Sequence, residues 1–276
     1  MNRLTPIAVL FVVTVVCSGI GAGYGPSLSA SGTTDTTAEE VSVVIVFENQ
    51  SARQTASFGE HVTVTGGHDV AFMPVLFADV PSDTVAALDA RTDIAAVYRD
   101  STVSLPDNRE TTAPVTDAAV DSSGQQVPWG IERVEARDAR QSVGDTSEVT
   151  VAVLDTGVDY THPDLDSTVS WGANFSNGVT EYGLSTAMDN DGHGTLAAGV
   201  IAAEDNGEGV VGAAPGVNLY SIKVLDDQGE GTYSWLISGI DAALKGEDRT
   251  LGTADDADVL SISLGGPSMS DTLGDA

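Results

Sequence analysis

The apolar positions of the chain fall into two alternating periods. Residues 149–154, Val-Thr-Val-Ala-Val-Leu, form a continuous β-branched run of the kind found in strands buried on both faces. Similar runs recur at 218–225 and 259–264. Between them the period changes. The small-residue stretch 194–203 predicts a helix, and so does 232–245, where Tyr233, Leu236, Ile237, Ile240, Ala243 and Leu244 share one face. Strands alternating with helices predict an α/β unit, a parallel sheet covered on both faces, from about residue 124 onward.

The first half carries a different order. Residues 41–47 predict a strand, 52–58 a short helix, and 62–65 a strand leading into Gly66-Gly67. Then come a strand at 71–80, a helix at 82–91 with Val85 and Leu88 on one face, and closing strands at 95–105. This β-α-β-β-α-β order fits a small α+β, ferredoxin-like domain over 41–105. Residues 24–40, rich in Ser, Thr and Gly, read as a flexible connector. Residues 106–123 lose all periodicity and read as an exposed linker, a natural place for processing. The acidic stretch between Lys245 and Asp258 reads as a surface loop with solvated carboxylates.

Arg3, an apolar core at 7–16 and Gly21-Ala22-Gly23 have the layout of a secretory signal over 1–23. The core is too short for a comfortable membrane span, so the expected product is secreted and extracellular, without stable membrane insertion. Cys17, the single cysteine, lies in this leader, so no internal disulfide is possible. Net charge is −30 and only Lys223 and Lys245 are lysines. Such a surface excludes nucleic acid as a partner. It also repels itself unless salt shortens the Debye length to about 3 Å near 1 M, which points to a halophilic source.

The chemistry sits beside the first of the buried runs. Asp155-Thr156-Gly157 ends it, and His193-Gly194-Thr195 opens the next predicted helix. In an open α/β sheet, strand carboxyl ends and the following helix amino ends share one crevice. An acid beside an imidazole there is two thirds of a nucleophilic triad. Taken alone, Asp155 could equally cap a helix and His193 could be a satisfied turn histidine.

Those two motifs, the second continuing to Ala198-Gly199, resemble the subtilisin-like serine proteases, or subtilases. Further matches follow in the family's order: Val127-Pro128-Trp129-Gly130, His162-Pro163-Asp164-Leu165, Gly209 through Pro215, Lys223-Val224-Leu225, Gly229 through Trp235, and Ser261 through Gly266. The resemblance implies that Asp155 holds His193, that His193 is general base and then general acid, and that the chemistry is peptide-bond hydrolysis by a secreted endopeptidase precursor. It implies an extended polypeptide substrate held by Gly229, Gly231, Tyr233, Ser263, Leu264 and Gly265. The 41–105 unit resembles the inhibitory propeptide of these enzymes, an intramolecular plug and folding chaperone whose Leu105 end would lie in the groove. A structural Ca²⁺ is implied at Gln125, Asp164, Glu204, Asn206, Glu208 and Val210, with no organic cofactor. His162 is expected to be structural, as Asp159 and Asp191 merely neighbour the motifs, and Asp189-Asn190-Asp191-Gly192 lacks the first ligand of an EF-hand loop. One departure stands out: no Gly-Thr-Ser occurs in the sequence, and Ser268, in Pro267-Ser268-Met269, reads as a loop serine. The peptidase unit over 124–276 is therefore expected to be incomplete, holding acid and base only. The alternatives are an inactive pseudo-protease acting as a peptide-binding or inhibitory module, and a product of an interrupted gene.

Overall fold

The computed structural model describes residues 39–70, 73–106 and 124–267, together with the backbone of 12–13 and 119–120. The leader apart from residues 12 and 13, the connector to residue 38 and most of the expected linker lie outside the described residues. So does Ser268.

The amino-terminal module is built from β1 (Glu40–Phe47), α1 (Gln50–Thr55), β2 (Thr63–Val70), β3 (Met73–Pro81), α2 (Val85–Asp89) and β4 (Ile94–Arg99). Its antiparallel sheet runs β2-β3-β1-β4, so the first and third strands in sequence lie in the middle. That is the order expected for a split β-α-β fold. Val43, Ile45, Ala78 and Val80 face the helices and pack with Val85 and Leu88. Several boundaries differ from expectation. Helix α1 starts two residues early because Asn49 caps it, accepting the Ala52 N–H at 3.0 Å. Strand β2 does not stop at the glycine pair. It bulges between Val64 and Gly66 and runs on, and a Cβ at Gly67 would lie 2.6 Å from Leu76 and 2.7 Å from the Val75 carbonyl. The 82–91 helix is a 3₁₀ turn, Ser82–Thr84, followed by α2. A short strand β5 (Thr102–Ser104) leaves the module.

The second unit is an α/β domain. Its sheet is formed by β6 (Thr150–Asp155), β7 (Val169–Asn174), β8 (Glu181–Tyr182), β9 (Asn218–Lys223) and β11 (Val259–Ile262), β10 (Glu230–Thr232) standing apart. The order is β11-β6-β9-β7-β8, parallel throughout except for β8. The two-residue strand Val12–Val13 lies parallel along the outer edge of β11. Central strand β6 is buried at every position, as its unbroken apolar run predicts. Helix α5 (His193–Ala202) covers one sheet face through Ala198 and Ala202, and α6 (Tyr233–Lys245) covers the other through Ala242 and Ala243.

Helix α6 departs from its predicted stripe. Its most buried residues are Ser234, Ser238, Gly239, Asp241, Ala242 and Ala243, while the large apolar residues are only half-buried. The reason is close approach: a Cβ on Gly239 would meet Val224, and Ile222 at 3.0 Å, so small residues face the sheet. The opposite side of α6 packs on the module, where Ile237 contacts the cluster of Val44, Val75 and Phe77. The helix is thus sandwiched between two sheets.

Further elements escaped the periodicity reading, among them β7, β8 and two short helices, α3 (Trp129–Arg133) and α4 (Ala136–Val143). Within the expected linker, Ala119–Val120 pairs antiparallel with Gln126–Val127. The 245–258 segment is an exposed loop, as expected, and its carboxylates also bond within the loop. Asp255 accepts the Asp248 N–H at 2.8 Å and the Thr253 hydroxyl at 2.7 Å, and Asp256 accepts the Gly252 N–H at 2.6 Å. These bonds, the Asp248 N–H foremost, hold the Asp255 carboxyl below its usual range.

Candidate active site

Strand β6 ends in Asp155, whose neighbours Thr156 and Gly157 turn the chain away from the sheet. Gly157 takes a φ of +103° with the Ala187 carbonyl at 2.6 Å from where a Cβ would stand, so this turn requires glycine. Helix α5 starts directly across the crevice. Gly194 lets it come in: a Cβ there would collide with the Gly157 carbonyl oxygen and sit 3.1 Å from the Asp155 Cβ. His193, the first helical residue, consequently places Nδ1 2.9 Å from both carboxylate oxygens of Asp155.

Burial fixes the sense of this contact. Asp155 is 1% exposed and also accepts the Thr156 N–H at 2.7 Å, whereas the His193 side chain is 28% exposed. An ionised carboxylate can only accept, so Nδ1 carries the ring proton and Nε2 is left as the basic nitrogen. Lys223, 5% exposed, donates to the Thr156 carbonyl at 2.6 Å and to Asp227 at 2.9 Å. The Lys223 bond holds the Asp227 carboxyl below its ordinary value. The crevice therefore offers a buried acid, a correctly oriented base and a fixed cation behind the turn.

Beside it runs a polypeptide groove, and the chain's own β5 lies in it. Thr102, Val103 and Ser104 pair antiparallel with Thr232, Gly231 and Glu230 of β10. On the other side Ser104 exchanges two backbone hydrogen bonds with Gly265, at 2.7 and 2.9 Å. Leu105 donates to the Gly229 carbonyl at 3.0 Å. β5 is thus held by main-chain bonds on both sides, by strand β10 on one and by Gly265 on the other. Val103 is 1% exposed and belongs to the cluster containing Leu264, against which Tyr233 packs. Gly229, Gly231, Tyr233, Leu264 and Gly265 are all brought to this groove. Ser263 directly follows β11, two residues short of Gly265.

The expected metal residues also gather, around Gln125. This side chain is fully buried, and its Nε2 lies 2.6, 2.7 and 2.9 Å from the carbonyl oxygens of Glu204, Glu208 and Val210. An amide nitrogen has two protons, so three carbonyls converging on it exceed what it can satisfy. Asp164 closes another side, accepting the Val210 N–H at 3.0 Å and pressing against Gly209 where a Cβ would clash. Asn206 Oδ1 instead accepts the Glu208 N–H at 2.9 Å. Among the described residues no three His, Cys, Asp or Glu side chains form a metal-binding group; the donors here are mainly carbonyls. A hard, oxygen-seeking cation fits such a donor set. His162 Nδ1 accepts the Asp164 N–H at 3.1 Å, a local turn bond.

Comparison with known proteins gives this geometry a lineage. Residues 146–276 match the subtilase family, peptidase group S8. The chain is 34% identical over 269 residues, 97% of its length, to Subtilisin J of Geobacillus stearothermophilus, of which it covers 61%. It is 44% identical over 150 residues to a subtilisin of Bacillus pumilus, covering 54% of this chain and 49% of that one. To the M-protease of Shouchella clausii it is 36% identical over 214 residues, 78% of this chain and 47% of the relative. The chain thus spans about three fifths or less of the relatives it matches. The segment similar to the subtilase family contains both Asp155 and His193, and the match to Subtilisin J extends over the amino-terminal module as well. Among the described residues no helix is long and apolar enough to cross a membrane.

Sequence reasoning missed Asp189. Its carboxylate accepts from Thr156 Oγ1 (2.9 Å), from the Asp191 and Gly192 N–H groups (2.9 and 3.0 Å), and from the Thr195 N–H and hydroxyl (2.9 and 2.6 Å). Burial pushes this carboxyl up, but the hydrogen bonds from Gly192, Thr195 and Asp191 outweigh it and hold it low. Its place four residues before the motif histidine was the only sequence signal.

Proposed function

We propose that this chain carries the acid and base of a secreted subtilisin-like serine endopeptidase, together with the inhibitor that occupies its substrate groove. His193 would take the proton of a serine hydroxyl and return it to the leaving amine, while Asp155 holds the Nδ1–H tautomer and stabilises the imidazolium. The single observation that carries the reading is the seating of β5: an extended strand bonded on both sides beside an oriented Asp–His pair is how a peptide awaiting attack would be held. Residues 39–106 are then an intramolecular propeptide, and the substrate is any polypeptide able to adopt the same extended form. Ca²⁺, held by Gln125, Asp164 and the carbonyls of Glu204, Glu208 and Val210, would supply structural charge compensation rather than chemistry. The acidic composition suits a high-salt, extracellular setting.

A fusion of residues 39–267 to the remaining carboxyl-terminal segment of Subtilisin J tests the proposal. It should hydrolyse casein in molar salt once the module is released, with loss of activity in His193→Ala and inhibition by added 39–106. Activity that survives His193→Ala would overturn the assignment. The 276-residue chain, which has no Gly-Thr-Ser, should take no covalent label from a fluorophosphonate.

A further inference from the structure

Asp155 and His193 approach one another from two separately folded pieces, the end of β6 and the start of α5. Their 2.9 Å contact needs something to fix the gap between those pieces. The contact itself is one bond pair at the crevice edge. Behind it lies a second set of bonds, and nearly all of it runs through one side chain.

We propose that Asp189 is a positioning residue for the Asp155–His193 pair, acting as the bolt that holds the first turn of α5 against the Asp-Thr-Gly turn; this rests on the catalytic reading of that pair. One carboxylate oxygen takes the Thr156 hydroxyl, whose oxygen in turn accepts the Gly194 N–H at 3.0 Å. The other takes both donors of Thr195, whose hydroxyl oxygen accepts the Asp159 N–H at 2.9 Å. Each threonine thus relays the same carboxylate across the gap: Thr156 from β6 to the helix, Thr195 from the helix back to the turn. The residue after Asp155 and the two residues after His193 are thereby tied to one anionic group.

The sequence explains why a bolt is needed. The residue preceding α5 is Gly192, at φ +106°, with no side chain to cap the helix. Asp189 supplies the missing cap from outside, taking the Thr195 N–H and placing a negative charge at the positive helix end. Asp189 touches neither reacting atom. Its effect is on the distance and angle at which His193 Nδ1 meets its carboxylate, to which proton transfer is sensitive.

The test is NMR of the full ¹⁵N-labelled chain, observing the His193 Nδ1 proton. In the unaltered chain this proton should give a slowly exchanging resonance that Asp155→Asn abolishes. Asp189→Ala should speed its exchange about tenfold or more, the loss expected for one net hydrogen bond. Asn49→Ala, which uncaps α1 in the amino-terminal module, should lower the melting temperature yet leave the resonance unchanged. Asp189→Asn keeps the side-chain volume and one acceptor oxygen, so it should give intermediate exchange, and it decides the matter if the alanine variant does not fold. Exchange in the Asp189 variants equal to that of the unaltered chain would overturn the proposal while leaving the Asp–His pair intact. An equal acceleration in Asn49→Ala would also overturn it. No protected proton in the unaltered chain would overturn the catalytic reading itself, and the bolt with it.

Discussion

Asp100, two residues before β5, closes the first turn of helix α6 by accepting the N–H of Ser234 at 2.9 Å and its hydroxyl at 2.6 Å. The module thereby caps a helix that belongs to the neighbouring unit, and an anion sits at the positive end of that helix. Asp100→Ala should lower stability by about 0.5–2 kcal/mol, the range for losing a cap. Chemical denaturation of the full chain measures this. Faster hydrogen exchange confined to β5 and the first turn of α6 should accompany it. An unchanged midpoint would mean that Thr232, whose hydroxyl accepts the Trp235 N–H, caps the helix alone.

A second cross-unit contact sets a pH dependence. Asp241 of α6 accepts from His68 of β2 at 3.0 Å and from Lys245 at 2.8 Å. Burial raises the Asp241 carboxyl, but its bonds to His68 and Lys245 overcome this and leave it below 3.8. A depressed carboxyl contributes its stabilisation fully above the unfolded value and loses it as pH falls from there through the folded value. Stability should therefore decline below about pH 4, and less steeply in Asp241→Asn. Urea midpoints between pH 2.5 and 6 give the comparison. Identical slopes for the two proteins would assign acid sensitivity to other carboxylates.

Salt should act in the opposite sense to its usual effect on surface ion pairs. With a net charge of −30, self-repulsion dominates any loss of exposed pairs. The melting temperature should rise markedly between 0.1 M and molar KCl as that repulsion is screened. A salt-independent midpoint would reject halophilic adaptation.

The Gln125 cradle predicts a calcium dependence. Calorimetry of the full chain should detect Ca²⁺ binding that weakens in Asp164→Ala, because the substitution removes a carboxylate facing the loop. Equal binding by both proteins would place the ion elsewhere.

Strand β6, the Asp-Thr-Gly turn and the histidine helix were legible because each rests on local sequence: an unbroken apolar run, an obligatory glycine, a small-residue face. Strand β7 was not. Its Val-Ser-Trp-Gly-Ala-Asn has neither a β-branched run nor clean alternation, and it is a strand because β9 and β8 pair with it on either side. Helix α4 escaped because Ala-Arg-Asp-Ala-Arg-Gln-Ser-Val buries little beyond Ala136. Asp189 was invisible for a different reason. Its importance lies in five donors from four residues that meet only after folding, and no pattern of residue types records that.

The order of the sheet has a kinetic consequence. In the α/β unit the earliest strand, β6, occupies a central place, and its partners arrive late: contacts from Thr150 reach Asn218 and Asp258, 68 and 108 residues onward. Closing chain loops of that size precedes any pairing gain, which makes such a sheet slow to nucleate. The module faces no such delay at its β2–β3 hairpin, where Val70 and Met73 pair across a two-residue connection. It can present a finished sheet face, with Val44, Val75 and Phe77 ready to receive Ile237, while β6 still lacks neighbours. A helix docked on that surface early would shorten the remaining search, and the time the second unit takes to fold would then be set in part by a piece of chain outside it.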